Sequence, residues 1–223
     1  MGAEGLKKVR DEVEAAAAAS GRDPREITVV AVSKGRPDED VLAAHALGHR
    51  DFGENRVAGL EDRLASHLPN DIRWHFVGSV QRRKARRLAG RTVLIHSIDR
   101  VELAETWARL GGGRALLQVN VSGEDQKHGV APAVAPEVAA AIVAIGVDLV
   151  GLMAIPRRPE RPEASREAFD LLATVRDEIR TRLPAVSELS MGMTDDFGVA
   201  VACGATILRI GRAIFEPAPH TSR

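Results

Sequence analysis

A lysine stands where an apolar segment of the sequence ends. The stretch ITVVAVSKGRP, residues 27–37, has strand-like composition up to Lys34, after which glycine and proline break the chain. With the period of two along a strand, Lys34 shares a side with apolar residues, which would lower the pKa of its ammonium group and favour a Schiff base with an aldehyde. The plainer interpretation is a lysine that reaches from the rim to water. Lys127, in EDQKHG, is the main rival amine.

Two segments near the C-terminus are suited to a phosphate group. They are LSMGMTDD, residues 189–196, and LRIGRAIF, residues 208–215. Ser190 and Thr194 supply hydroxyl groups, Gly192 and Gly211 permit close approach of the backbone to an anion, and Arg209 adds a cation. Each segment alone is equally typical of an ordinary turn. Together with the strand-end lysine, they fit pyridoxal 5′-phosphate, an aldehyde that carries a phosphate group.

Strand-like and helix-like segments alternate along the chain and would position these residues. Strands are predicted near residues 27–33, 50–53, 73–78, 93–97, 115–121, 148–153, 188–191 and 206–210. Helices are predicted near residues 38–47, 55–67, 81–88, 100–110, 132–145, 164–182 and 195–203, and an amphipathic helix precedes the first strand. Eight β/α units predict an α/β fold: one closed parallel barrel of the (β/α)8 TIM type, with an extra N-terminal helix and a single domain over residues 1–223. The alternative is an open doubly wound sheet.

In a barrel of this kind, the C-terminal ends of the strands line the active site, and the loops after strands seven and eight often bind phosphate. Lys34 and both glycine-containing segments fall at such positions. This agreement favours the cofactor interpretation over a set of unrelated turns.

Composition and charge limit the classes of function that the chain could have. The chain carries 31 basic and 31 acidic residues, so no overall field attracts it to nucleic acid or to a membrane. The single cysteine, Cys203, and the absence of a long apolar run favour the cytoplasm. The basic segment QRRKARRL, residues 81–88, is interpreted as a solvated face, and neither a nucleic-acid partner nor a metal is expected.

Seven ordered blocks then carry a family resemblance over nearly the whole chain. They are VAVSKGRP, DFGENRV, WHFVGSVQ, IHSID, QVNVSGEDQKHGV, GLMAIP and LSMGMTDDFGVAVACGATILRIGRAIF. The sequence resembles the pyridoxal-phosphate-binding homeostasis proteins, the group that includes the proline synthetase co-transcribed homologue. The fold of that family is similar to the barrel domain of alanine racemase.

The resemblance implies roles for the residues at the barrel end. Lys34 would hold pyridoxal phosphate as a Schiff base, and Arg209 would face the pyridine nitrogen. Ser190, Thr194 and the backbone around Gly211, with Gly192 beside them, would hold the phosphate group. Three more residues, which lie in other blocks, would line the cofactor cavity: Asn55, His75 and Met153.

The same resemblance implies a carrier or regulator of pyridoxal phosphate in vitamin B6 homeostasis, without dedicated turnover. A racemase with two bases needs a tyrosine opposite the lysine and a second domain, and this sequence contains no tyrosine. The expected partners are the cofactor and enzymes that accept it, and a monomer is expected. The alternatives are a racemase-like enzyme that uses the cofactor, a Schiff-base aldolase, and an interaction module that acts through the basic helix.

Overall fold

The structure, a computed structural model, describes residues 2–124, 128–157 and 159–216. Its strands are β1 Thr28–Val32, β2 Asp51–Glu54, β3 Arg73–Phe76, β4 Leu94–Ile98, β5 Ala115–Gln118, β6 Leu149–Met153, β7 Glu188–Ser190 and β8 Ile207–Ile210. Its α-helices are α1 Gly2–Ala19, α2 Asp38–Ala46, α3 Val57–Ala65, α4 Val101–Arg109, α5 Ala135–Ala144, α6 Arg166–Arg180, α7 Phe197–Ala202 and α8 Arg212–Phe215. Short 3-10 helices span Pro24–Glu26, Arg82–Arg87, Pro132–Val134 and Pro162–Ser165.

The strands form a closed barrel in which each is parallel to its neighbours, in the order β1 to β8. Closure comes from the pairing of β1 with β8, in register from Thr28 opposite Ile207 to Ala31 opposite Ile210. An open sheet would leave these two strands as edges with unpaired backbone groups. The predicted (β/α)8 barrel is therefore confirmed, and each predicted strand overlaps one of the observed strands.

The extra N-terminal helix is also confirmed. Leu6, Val9 and Val13 are spaced along one face of α1 and are buried, and the helix packs against α8, α7 and α2. A β-carbon at Gly5 would lie only 2.2 Å from the carbonyl oxygen of Ile214. The glycine therefore allows α1 to lie directly against the helix that follows the last strand.

Alternation along the strands divides the core into two layers. Strand side chains that face outward, such as Phe52 and Phe76, pack under the helices together with buried helix side chains such as Trp107 of α4. Side chains that face inward form a separate cluster inside the barrel: Val30, Leu94, Leu116, Val150, Met153 and Ile207. This inner apolar cluster fills the barrel, so the interior is a packed core, and any polar side chain within it needs a hydrogen-bond partner.

The basic segment and the lengths of the helices concern a possible contact with nucleic acid or with a membrane. The basic segment 81–88, where a helix was predicted, forms a 3-10 helix over Arg82–Arg87 and turns its arginines outward around the buried Ala85. None of the described helices is long and apolar enough to cross a membrane.

Candidate functional site

Lys34 lies in a tight turn that follows β1. The N–H of Arg36 donates to the carbonyl of Ser33 at 3.0 Å, and Gly35 has a φ of 69°, a left-handed conformation that glycine adopts without steric cost. The residues SKGR therefore turn the chain at the C-terminal end of the barrel. Lys34 itself is exposed, so the prediction that its amine lies in apolar surroundings is wrong. The side chain reaches solvent from a fixed backbone.

Arg63 of α3 holds this turn. Its Nη2 donates to the carbonyls of Ser33 and Arg36, at 3.0 and 2.6 Å. Its Nη1 pairs with Asp38, and its Nε lies 3.3 Å from Oε1 of Glu54. Arg63 and Glu54 are both buried, and the planar fork of the guanidinium group suits several acceptors at once. The backbone on both sides of the lysine is therefore tied to α3 and to the end of β2.

A cavity of about 650 Å³ opens beside Lys34. Asn55, which directly follows β2, also lines this cavity, so these two predicted neighbours face the same space. Most of the remaining lining is charged: Arg36, Asp38, Glu54, Arg56, Asp62 and Arg63. A cavity of this size has room for a small charged molecule next to the amine.

The segments after β7 and β8 lie together at the same end of the barrel. The N–H of Ala213, two residues after Gly211, donates to Oγ1 of Thr194 at 3.3 Å. Gly192 has a φ of 91°, and a β-carbon at this position would lie 2.5 Å from the β-carbon of Ala200. Glycine is therefore needed at position 192 for backbone and packing reasons. Thr194, Gly192 and Gly211 are brought together as predicted.

These segments also adjoin β1, the strand that precedes the Lys34 turn. A β-carbon at Gly211 would lie 3.1 Å from the carbonyl oxygen of Val32, so the end of β8 touches β1 two residues before the lysine. The pairing of β1 with β8 produces this proximity. The amine and both glycine-containing segments consequently occupy one end of the barrel.

Arg209 points from β8 into the barrel and is only 5% exposed. Its Nη1 donates to Oγ of Ser190 at 2.7 Å, and its Nη2 donates to the carbonyl of Ala154 at 2.9 Å. Burial lowers the pKa of Arg209 to about 10, and the nearby carboxylate of Asp196 acts in the opposite direction. The guanidinium group therefore remains a cation at neutral pH, fixed by two acceptors.

Ser190 supports Arg209 from inside the barrel. The residue is fully buried, and besides the bond from Arg209 its hydroxyl lies 2.8 Å from Nδ1 of His96. The geometry places the Ser190 hydroxyl beside Arg209, and its predicted contact with a phosphate group stays a prediction.

His75 and Met153 lie at or near the C-terminal ends of β3 and β6 and are both buried. His75 is buried in β3, where Nε2 lies 3.1 Å from Asp51 and Nδ1 lies 3.1 Å from His96. Met153 is 1% exposed and belongs to the inner apolar cluster. Both side chains are buried in the barrel interior, and their predicted place in the lining of the cofactor cavity stays a prediction.

Comparison with known proteins gives the family. Residues 6–219 match the family model described as the N-terminal domain of alanine racemase. The pyridoxal phosphate homeostasis protein of Escherichia coli is 37% identical over 230 residues, which cover 99% of this chain and 98% of that protein. The protein of the same description from Pseudomonas aeruginosa is 39% identical over 219 residues, 96% of this chain and 94% of the relative.

The chain belongs to the pyridoxal phosphate homeostasis protein family. This result confirms the resemblance inferred from the seven sequence blocks. Solved structures agree: PipY of Synechococcus elongatus, described as having PLP bound, has a TM-score of 0.78 and 32% identity, and the match covers 92% of this chain and 99% of PipY. A lysine/ornithine decarboxylase of Vibrio vulnificus, 15% identical with a TM-score of 0.69, shares the fold alone.

Sequence reasoning missed two residues that shape this end of the barrel. Arg63 was not singled out, although it follows Val57 and Leu60 at helical spacing and so lies on the buried face of α3. His96 stood in the family block IHSID without an assigned role. Its position two residues after Leu94, which faces into the barrel, was the available signal.

Two histidines that stand four residues apart, His45 and His49, each have a structural partner. His45 lies 2.6 Å from Asp71, and His49 lies 2.9 Å from the carbonyl of Asp51. Across the part of the chain that the structure describes, no group of three His, Cys, Asp or Glu residues is arranged to hold a metal ion. Lys127, the rival amine, falls outside the described residues.

Proposed function

We propose that the protein holds pyridoxal 5′-phosphate reversibly, as a Schiff base on Lys34, and serves intracellular vitamin B6 homeostasis. The observation that carries the proposal is the arrangement at one end of the barrel. An accessible amine stands on a turn held by Arg63, next to two glycine-containing segments and above a buried cation. The names of the relatives and the PLP-bound structure of PipY support the choice of ligand.

The residues present fit this cofactor. Lys34 supplies the amine, Asn55 lines the adjoining cavity, and Thr194 with the backbone of Gly192 and Gly211 would receive the phosphate group. Arg209 would lie at the pyridine nitrogen. The cofactor supplies an electrophilic aldehyde and an aromatic electron sink, and a cation at the ring nitrogen disfavours its protonation and weakens that sink.

The same features favour a carrier over a dedicated enzyme. Racemisation by two bases needs a second proton-transferring group opposite the lysine, and this sequence contains no tyrosine to act as one. A side chain that is exposed on a fixed turn leaves the bond to the aldehyde open to water. We therefore propose a cytoplasmic, monomeric carrier or regulator, formed by one domain over residues 1–223, that passes the cofactor to enzymes lacking it.

Spectral titration with pyridoxal phosphate tests the attachment. We expect a visible absorption band to grow to one equivalent in the wild type and to be lost in Lys34→Ala. Lys7→Ala is the matched control, because the Lys7 side chain is 80% exposed on α1 and lies outside the barrel end. A band that persists in Lys34→Ala, or that falls equally in both variants, would refute the assignment.

Transfer and turnover assays test the carrier role. The loaded protein should activate an enzyme stripped of pyridoxal phosphate, and it should not turn over amino acids steadily. Steady turnover that disappears in Lys34→Ala would establish the racemase-like alternative. Reductive trapping that requires a sugar phosphate and no added cofactor would establish the Schiff-base aldolase.

A further inference from the structure

A continuous chain of hydrogen bonds crosses the barrel interior beneath the proposed site. It begins at Asp51, the first residue of β2, and ends at Arg209 in β8. Oδ1 of Asp51 lies 3.1 Å from Nε2 of His75, whose Nδ1 lies 3.1 Å from Nε2 of His96. Nδ1 of His96 lies 2.8 Å from Oγ of Ser190, which accepts the bond of 2.7 Å from Arg209. The chain thus joins the N-terminal end of the barrel to its buried cation.

Every member of this chain is buried. The exposed fraction is 9% for Asp51, 5% for His75 and 0% for both His96 and Ser190. The inner apolar cluster shares the same space. Because an unpaired polar group in such an interior is costly, each donor must meet an acceptor, and the positions of the protons can be derived from the partners.

The ionisation of Asp51 determines the position of the first proton in the chain, which lies on His75. Arg73 donates to both carboxylate oxygens, through Nε at 2.8 Å and through Nη2. Burial opposes ionisation of Asp51, but hydrogen bonds from Arg73 and His75 more than offset it and hold the pKa of this carboxyl well below its usual range. An ionised carboxylate can only accept hydrogen bonds. His75 must therefore donate to Asp51 through Nε2–H.

The position of the proton on His96 determines the directions of the remaining hydrogen bonds, from His75 to Ser190. Burial lowers the pKa of His96 well below its usual value, and the positive charge of Arg209 acts in the same direction, so the ring is neutral and carries one N–H. With the proton on Nε2, His96 donates to Nδ1 of His75 and accepts the hydroxyl proton of Ser190. With the proton on Nδ1, Ser190 would accept twice, and its own O–H would find no acceptor among the described residues. The Nε2–H form satisfies every group.

We propose that Asp51, His75 and His96 are positioning residues that act on Arg209 through Ser190. Every N–H and O–H between Asp51 and Ser190 points towards the carboxylate, so the oxygen of Ser190 keeps its lone pairs for the guanidinium group. Loss of the carboxylate removes this order and weakens the acceptor that fixes Arg209. The inference rests on the proposed function in one respect, namely that Arg209 acts on a cofactor bound at this end of the barrel.

The proton positions are measurable without the cofactor. Long-range proton–nitrogen NMR correlation spectra, recorded on protein labelled at its histidine nitrogens, distinguish the Nδ1–H, Nε2–H and doubly protonated rings. From the hydrogen bonds we expect His96 to carry its proton on Nε2, and we expect Nε2 of His75 to carry a proton and its Nδ1 to carry none. A His96 ring with its proton on Nδ1, or with two protons, would overturn the proposal.

Asp51→Asn tests the origin of the order. An amide cannot accept hydrogen bonds from Nε and Nη2 of Arg73 and from His75 at once, so its NH2 group must face one of these donors. Where the NH2 group faces His75, it donates to Nε2, and the proton of His96 moves onto Nδ1. Asp71→Asn is the matched control: Asp71 is an exposed carboxylate before β3 that pairs with Arg50. We expect the tautomer of His96 to change in Asp51→Asn alone. An unchanged tautomer in Asp51→Asn would refute the ordering role of the carboxylate.

Binding of pyridoxal phosphate to the same variants tests the effect on Arg209. We expect binding on the order of tenfold weaker in Asp51→Asn, with attachment at Lys34 retained, because a hydrogen bond to a charged group is weakened. Asp71→Asn should bind as the wild type does. Altered tautomers with unchanged affinity would overturn the positioning role. A wild type that binds no cofactor would refute the proposed function, while the NMR spectra would still decide the order of the chain. If Asp51→Asn does not fold, the wild-type tautomers decide alone.

Discussion

Lys34 and Arg209 are the two cations proposed to contact the cofactor, and their surroundings are opposite. The Lys34 side chain is exposed, and only its backbone is held, through the contacts of Arg63 with the turn. Arg209 is 5% exposed, and the side chain itself is held, by Ser190 and by the carbonyl of Ala154. The Lys34 side chain is accessible to an aldehyde, whereas the Arg209 side chain is a fixed charge inside the barrel.

This difference corresponds to what a reversible carrier needs. A covalent bond that must form and hydrolyse has to be reached by aldehyde and water, and an exposed amine on a firm turn meets that need. Orientation of the bound ring needs a group that does not move, and a buried guanidinium group with two acceptors meets that need. Variants that weaken the support of the Lys34 turn or of the Arg209 side chain therefore test this comparison.

The largest expected effect is the loss of the clamp on the lysine turn. Arg63→Ala leaves Glu54 buried without its cation, so we expect the free energy of unfolding to fall by about 4 kcal/mol in urea denaturation. Arg63→Ala combined with Glu54→Gln is the control, because it removes the unpaired charge and should recover part of the loss. A fall of less than about 1 kcal/mol in Arg63→Ala would show that the turn stands without the clamp.

Removal of the buried cation comes next. Arg209→Met leaves the Ser190 hydroxyl and the Ala154 carbonyl without their donor, and we expect a loss of about 3 kcal/mol in urea denaturation. Arg212→Met is the matched control, because Arg212 is half-exposed and pairs with Asp195 at 2.5 Å. It should cost less than about 1 kcal/mol. Equal losses in the two variants would contradict the distinction between a buried and a surface arginine.

A third expectation concerns pH and the N-terminal end of the barrel. Burial lowers the pKa of His49 to about 4. A hydrogen bond with the Asp51 carbonyl favours protonation and offsets only part of this effect. Because the folded-state pKa lies below the unfolded value of about 6.5, stability is full above that value and is lost as the pH falls towards 4. Between pH 7 and 5, His49 should account for about 2 kcal/mol of the lost free energy of unfolding. His96, also held neutral by burial, adds a loss of the same sign.

Chemical denaturation at pH 7 and pH 5 measures this effect. His49→Gln should lose about 2 kcal/mol less than the wild type between the two values, because the titrating group is gone. An equal loss in the variant and the wild type would assign the pH dependence to other groups.

The smallest effect is expected at the turn itself. Gly35 has a φ of 69°, but a β-carbon there would meet nothing within 4 Å, so Gly35→Ala introduces backbone strain alone. We expect a cost of about 1 kcal/mol in thermal or urea unfolding. Gly198→Ala is the control, since a β-carbon at Gly198 of α7 also meets open space but φ there is not positive. A cost of more than about 3 kcal/mol at position 35 would show that the turn tolerates no adjustment.

The sequence predicted the barrel and the position of Lys34 and the glycine-containing segments at one end of it, because strand and helix periodicities are local and the β/α order allows few topologies. Lys34 and the segments around Gly192 and Gly211 followed directly, since each stands where a strand ends. The height of a side chain inside the barrel was not predictable in the same way. Ser190 and His75 sit on strands whose depth depends on the register between neighbours, and one sequence does not give that register.

Reductive trapping tests the central claim most directly. The protein would be mixed with one equivalent of pyridoxal phosphate, reduced with borohydride, digested, and mapped by peptide mass spectrometry. We expect a single adduct on the peptide that contains Lys34. An adduct distributed over the surface lysines, such as Lys7 and Lys8, or absent from the Lys34 peptide, would contradict the proposal that this strand-end lysine holds the cofactor.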